Sequence, residues 1–367
     1  MAKGDVLQNN RTVFTDEKTG REVWQMTSWP ECHCLATYMY LKAFTKDGKY
    51  LAFASDRTGV YELYRLTIET GETRQLTDRS KIGEDDKTIT RYNVHPNGRE
   101  VVFREGNGYS AIDLQSLDER QIAHSDDPNL KPTGSPTLSG DGTMLICRFV
   151  DANERQGFAH VPYEGGKLEK IYRLDIPNRN LSHTLGATAP GYALSFVILP
   201  DFQNDPNESR ENRARAWKLD INTGKAEPFL VMPHGHRATH EYWGPDGRLY
   251  FHKKSTPNWT PTSISSIDIN GEDFQDHFVS QDRKLGHSNI SQDGKRIVSD
   301  VQDPTGNELY EINLETGKSE ILCWPNSTLV DGVVGHVHPA YDFSGNHIIY
   351  TSDKSGKAAV FVVPLKQ

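Results

Sequence analysis

The sequence predicts an all-β protein, a seven-bladed β-propeller whose ring is closed by its own N-terminal segment. Three observations predict it. A hydrophobic strand–turn–strand unit recurs seven times, a second short hairpin follows most copies, and the chain ends half a repeat short while beginning with the missing half.

The first unit reads as two strands around a turn that ends in Gly. Its copies are "LKAFTKDGKYLAFAS", "RYNVHPNGREVVFRE", "SPTLSGDGTMLICRF", "HEYWGPDGRLYFHKK", "HSNISQDGKRIVSDV" and "HPAYDFSGNHIIYTS", with a weaker one in "TLGATAPGYALSFVI". The turn glycines are Gly48, Gly98, Gly142, Gly191, Gly247, Gly294 and Gly345, spaced by 50, 44, 49, 56, 47 and 51 residues. A propeller blade repeats every ~40–50 residues. Asp-Gly and Asn-Gly between apolar runs are hairpin signals. The second unit is a strand, Thr-Gly or Asn-Gly, and a strand, as in "YRLTIETGETRQLTD", "WKLDINTGKAEPFLV", "SSIDINGEDFQDHF" and "YEINLETGKSEILCW". Each repeat therefore holds four strands.

The last repeat stops at "AAVFVVPLKQ", without its second hairpin. The N-terminal "KTGREVWQMTS" resembles "ETGETRQLTDR", so residues Arg21–Thr27, within a segment of about 11–30, are expected to supply the outer strand of the final blade. That arrangement leaves no open edge. Helix is nearly absent from this reading, and residues 1–367 form a single propeller domain.

Composition narrows the function classes. The 367 residues carry 41 basic and 50 acidic side chains, a formal charge of −9. No basic stripe meets nucleic acid. No apolar run approaches the ~20 residues that span a bilayer. The opening "MAKGDVLQNNRTVF" has no apolar signal-peptide core. Cys32, Cys34, Cys147 and Cys323 make neither a disulfide framework nor a paired zinc pattern, which fits a cytoplasmic protein. Walker A, dinucleotide-binding and nucleophile-elbow patterns are all missing.

Equivalent positions in the repeats are expected to lie at equivalent places around the axis. Seven residues before each turn glycine stand Leu41, Arg91, Ser135, Thr184, His240, His287 and His338. Three successive blades place His there. His183 is one residue out of register, and His336 precedes His338 by two. Residues i and i+2 of a strand share a face, so His336 and His338 are expected to point the same way. A lone strand His is usually only a hydrogen-bonded polar residue, but a cluster at one register points to a site. His287, His336 and His338 have the look of a metal triad, suited to Mn, Fe, Ni, Cu or Zn. His240 is placed like a general base. Arg215, ahead of "WKLDINTG", is the choice to pair with a substrate carboxylate. Arg91, Lys42 and His33 are expected to face the channel. His234 and His236 read as solvated loop residues, and Cys32-His33-Cys34 is too tight to supply three ligands.

The segments "CHCLATYMYLKAFTKDGKYLAF", "RARAWKLD", "THEYWGPDG", "GHSNISQDG" and "HVHPAYDFSGNHIIYTSD" resemble the oligogalacturonate lyase family, seven-bladed propeller lyases of pectin breakdown. The resemblance covers essentially the whole chain and is strongest in the first blade and the last three. "THE(Y/F)W-x-PDG" combined with "H-x-HP" is fairly specific, whereas "KDGKYLAFASDRTG" is generic to TolB-like propellers. The resemblance implies manganese ligands at His287, His336 and His338, a Brønsted base at His240, and a basic position near the substrate at Arg215. Two departures stand out. Val333 occupies the place of the family's Gln ligand, and the Arg expected shortly after His183 is missing.

The implied reaction is metal-assisted β-elimination on short uronate-containing oligosaccharides, above all oligogalacturonides. Arg91, His183, Lys42 and His33 would contact the acidic substrate. Two alternatives stay open: a lyase for a glucuronate- or rhamnose-containing glycan, and a non-catalytic TolB-like binding scaffold.

Overall fold

The computed structural model of the chain describes residues 2–8, 11–79, 87–174, 180–186, 194–199, 207–303, 307–328 and 335–365. The turn residue Gly191 and the ligand-position residue Val333 lie outside the described residues. Short strands dominate. The described residues contain one helical turn, Arg210–Arg213, and one 3-10 turn, Lys87–Thr90.

Among the described residues the strands form seven sheets. In chain order, the sheets begin with the strands Cys34–Leu35, Tyr92–Val94, Lys131–Leu138, Asn180–Gly186, His236–Trp243, Leu285–Ile290 and Ala340–Tyr341. Within each, consecutive strands pair antiparallel, as from Tyr50↔Thr67 to Ser55↔Glu62 in the first sheet. Five sheets have four strands. The first gains Val6–Leu7 on Thr73–Gln75. The last gains two N-terminal strands: Glu22–Gln25 pairs with Ala359–Pro364 at Trp24↔Val362 and Gln25↔Phe361, and Thr12–Thr15 pairs with Glu22–Gln25.

The turns follow from their sequence. In the first repeat the Asp47 carboxylate accepts from the Thr45 hydroxyl (2.6 Å) and the Lys49 N–H (3.0 Å), and Gly48 closes the turn at φ 69°. Asp141 and Asp293 accept in the same way from Ser139 and Thr143 N–H, and from Ser291 and Lys295 N–H. A positive φ costs Gly nothing and other residues appreciably.

The chain divides into two compact units, Met1–Gly106 with Ala111–Glu119 and Leu285–Gln367, and Asn107–Ser110 with Arg120–Lys284. In the first, sheets pack face to face. Phe53, Tyr64 and Leu66 of the first sheet meet Ile349, Val360 and Val362 of the last. Tyr350 and Phe361 of the last sheet meet Val298 and Leu309 of the sixth. Ala52 and Leu63 meet Val101, Phe103 and Ile112 of the second. In the second unit, Ile146 and Phe158 of the third sheet meet Leu181, Trp217 and Leu219 of the fourth. Covering on both faces explains why strands such as Tyr50–Ser55 are buried throughout rather than alternately.

The first strand of several sheets shares an irregularity. Its pairing slips between Thr133 and Thr137, Ser182 and Leu185, Thr239 and Tyr242, and Leu285 and Ser288. These slips bracket Ser135, Thr184, His240 and His287, the residues singled out by the repeat register. A bulge breaks the two-residue alternation and re-aims the side chain at that point.

Candidate functional site

In the first unit, His287, His336 and His338 come together. One possible ligand atom from each lies within 4.8 Å of the others, and this is the His, Cys or carboxylate cluster of that kind among the described residues. Ring centroids are 4.2 Å apart for His287 and His338, 5.3 Å for His287 and His336, and 5.6 Å for His336 and His338.

Each imidazole is positioned differently. His287 sits on the bulged strand Leu285–Ile290 and is buried. Asp300, on the adjacent strand Arg296–Val301, accepts from the His287 backbone N–H, and its other oxygen lies 3.2 Å from Nδ1. That contact favours a proton on Nδ1 and leaves Nε2 as the donor nitrogen. His336 and His338 do not lie on a strand, contrary to the alternation argument. They precede Ala340–Tyr341 on an extended segment, and His338 has φ 46°. The turned backbone removes the two-residue alternation, so contact with His287 rather than strand geometry brings the two rings together. The segment is held where the Val337 carbonyl accepts from Thr351 N–H at 2.9 Å.

These residues fit a cation. The Nε2 of His338 is buried and has no hydrogen-bond partner among the described residues. A buried nitrogen without a partner is costly, and coordination would satisfy it. Burial, followed by the neighbouring His287, pushes the His338 pKa well below its ordinary value, despite opposition from Asp300. The ring is therefore neutral, the form that binds metals.

Sequence reasoning missed two residues around this cluster. Tyr38 lies with its ring 4.6 Å from His338 and 5.7 Å from His287. Gln302 brings its amide 3.4 Å from His336 Nδ1. Neither shares the seven-residue register, so comparison of repeats could not find them. Of the expected channel residues, Arg91 lies 5.6 Å over the Tyr38 ring. Lys42 keeps solvent contact although protein surrounds it closely, and that enclosure lowers its ammonium pKa. Lys42 is exposed, with its ammonium 5.7 Å from the centre of the Phe343 ring. His33 differs from expectation. Its Nδ1 accepts from Ala358 N–H at 3.2 Å and its Nε2 lies 3.4 Å from Lys357 Nζ, so protein partners engage both nitrogens.

In the second unit, Arg215 and His183 gather around a carboxylate that the sequence argument passed over. Glu241 is fully buried. The Arg215 guanidinium grips it with two bonds, Nε to Oε1 at 2.7 Å and Nη2 to Oε2 at 3.2 Å. His183 Nδ1 lies 3.5 Å from Oε2. Burial alone would raise the Glu241 pKa. The charge of Arg215 and hydrogen bonds from His183 and Arg215 outweigh it and hold the carboxyl far below its usual range. Arg215 was expected to reach a substrate carboxylate. Two of its nitrogens are instead engaged by Glu241, and no hydrogen bond among the described residues uses Nη1. His240 has φ 57° on the bulge, with its ring 5.7 Å from that of buried His252. His234 is exposed, as expected, whereas His236, expected in a loop, opens the strand His236–Trp243 and is only partly exposed.

This chain is similar to known proteins in sequence and in fold. Residues 1–155 match the family model described as oligogalacturonate lyase. An oligogalacturonide lyase from Pectobacterium atrosepticum is 25% identical over 399 residues, covering 99% of this chain and 98% of that protein. The solved structure of an oligogalacturonate lyase in complex with manganese superposes with a TM-score of 0.87 at 21% identity, covering 100% of this chain and 99% of the other. The β-propeller domain of a trilobed protease from Pyrococcus furiosus superposes at 0.57 with 14% identity, covering 91% and 97% of the two chains. The structural likenesses show the fold, an all-β propeller. By sequence along nearly its whole length, this chain is similar to the oligogalacturonate lyases, and it shares their fold.

Proposed function

We propose that this protein is a metal-assisted lyase that cleaves short oligogalacturonides by β-elimination. The observation that carries the reading is the cluster of His287, His336 and His338 with its unpartnered, buried His338 Nε2. The proposed ion is Mn2+, the metal named for the neighbouring lyase structure.

In this reading His287, His336 and His338 hold the cation. Its positive charge, when bound, stabilises the negative charge that builds on a uronate carboxylate as the adjacent C5 loses its proton. His240 takes that proton on an imidazole nitrogen. The C–H electron pair becomes the C4–C5 double bond, and the C4–O pair leaves with the oxygen. Arg215 acts as the second catalytic group, its charge oriented by Glu241. Arg91, Lys42 and His183 add donors and positive potential for an acidic substrate in a protein of net charge −9.

The reading includes a single propeller domain, with the seven sheets as blades of one ring closed where Glu22–Gln25 joins Ala359–Pro364. Its support is the repeat, which runs unbroken through residues of both compact units. It also includes a cytoplasmic location, supported by four buried free thiols. No described helix is long and apolar enough to cross a membrane.

The test is formation of the unsaturated product, read as ultraviolet absorbance, from oligogalacturonides and from glucuronate- or rhamnose-containing oligosaccharides. We expect product from oligogalacturonides, its loss on chelation, and its return with Mn2+. His240→Ala should lower the rate by about 10²–10⁴-fold while leaving metal content unchanged. Product from the other glycans alone would move the substrate assignment. Full activity in the stripped protein would reject metal assistance.

A further inference from the structure

The three imidazoles leave the proposed ion short of protein donors, and one side chain is built into the remaining space. We propose that Gln302 is the fourth protein ligand of the metal centre, through its amide oxygen. This rests on the metal reading above.

Three observations carry it. First, the Gln302 amide lies 3.4 Å from His336 Nδ1. An amide turned over in place exchanges Nε2 for Oε1 at nearly the same point. Two donors at right angles around an ion, each about 2.2 Å from it, stand roughly 3 Å apart. Gln302 therefore sits close to ligand-to-ligand spacing from His336. Second, Gln302 follows directly on the strand Arg296–Val301, whose Asp300 carboxylate holds His287. One short piece of backbone thus fixes both a ligand's partner and the additional donor. Third, the neighbouring strand makes room for it. A Cβ at Gly286 would lie 2.3 Å from Gln302 Cγ and 2.8 Å from Cδ. The missing side chain at Gly286 lets the Gln302 stem pass beside His287 toward His336.

The chemistry also suits the proposed ion. Three neutral imidazoles alone favour zinc, copper or nickel, whereas a carbonyl oxygen is a harder donor of the kind manganese takes. Adding an amide oxygen shifts the set toward Mn2+ without adding charge. That leaves the ion's positive charge available to a uronate carboxylate.

The rival role for Gln302 is donation of an N–H to His336 Nδ1 with no contact to the ion. Two substitutions separate the roles. Metal-stripped full-length protein would be titrated with Mn2+, with free ion followed by electron paramagnetic resonance. Folding would be checked by circular dichroism. We expect Gln302→Leu to weaken Mn2+ binding by at least about 10-fold. Gln302→Glu should bind Mn2+ as tightly as the native protein or more tightly, because a carboxylate oxygen is also a hard donor. Binding by Gln302→Leu within about twofold of native would overturn the assignment. So would Gln302→Glu binding as poorly as Gln302→Leu, since a carboxylate cannot replace an N–H donor. Should Gln302→Leu not fold, the Gln302→Glu arm still decides. Failure of the native protein to bind Mn2+ is a different result, and it would remove the metal reading itself.

Discussion

Replacing Glu241 with Gln removes one charge from a site that water does not reach. Glu241 is fully buried and Arg215 is 6% exposed. Gln keeps the size and one acceptor oxygen, so packing survives. Its amide nitrogen, however, must face either the Arg215 fork or His183, and both lie on the donor side of their contacts. The guanidinium stays charged at any accessible pH. Breaking a buried pair in this way costs about 3–5 kcal/mol. The assay is urea unfolding followed by tryptophan fluorescence, with Trp217 two residues from Arg215 as a local reporter. The midpoint should fall at constant slope. A change below about 0.5 kcal/mol would refute the claim that this carboxylate neutralises Arg215. The double variant Arg215→Met/Glu241→Leu should recover much of the loss, because it leaves no buried charge. The pH dependence has a definite sign. The folded-state pKa of Glu241 lies below its ordinary 4.5. Its stabilisation is therefore complete above that value and is lost as pH falls toward the folded pKa. The gap between native protein and Glu241→Gln should narrow only in acid. Activity should fall as well, since Arg215 and His183 both take their orientation from this carboxylate.

Asp300→Asn keeps an acceptor for the His287 backbone but weakens the charge-assisted contact to Nδ1. Mn2+ affinity should drop by about 10–100-fold, measured by the same titration. Gly286→Ala places a methyl 2.3 Å from Asp300 Oδ1 and from Gln302 Cγ. It should destabilise the protein by about 1–3 kcal/mol in urea unfolding and lower Mn2+ affinity, and normal affinity would show that Gln302 and Asp300 can move without consequence.

Much of this site is legible in the sequence because the chain repeats. A repeat makes register visible: the turn glycines aligned His240, His287 and His338 before any contact was known. The same comparison could not see Glu241, Asp300, Gln302 or Tyr38. Glu241 stands next to His240 in "HEYW" and reads as an ordinary alternating strand residue. The slip between Thr239 and Tyr242, with φ 57° at His240, breaks that alternation, so local pattern does not say what either side chain meets. The sequence also could not see that Ala358 and Lys357, more than 320 residues away, engage the ring of His33.

By itself, the sequence determined the all-β architecture, the four-strand repeat and the identities of the clustered histidines. These follow from local causes, namely two-residue alternation, Gly at positive φ, and Asp side chains that close turns. Tertiary structure alone decided which groups those histidines meet and how they are aimed. Bulges, the turned backbone at His338 and pairings between adjacent strands depend on contacts between distant residues, and no local pattern encodes those.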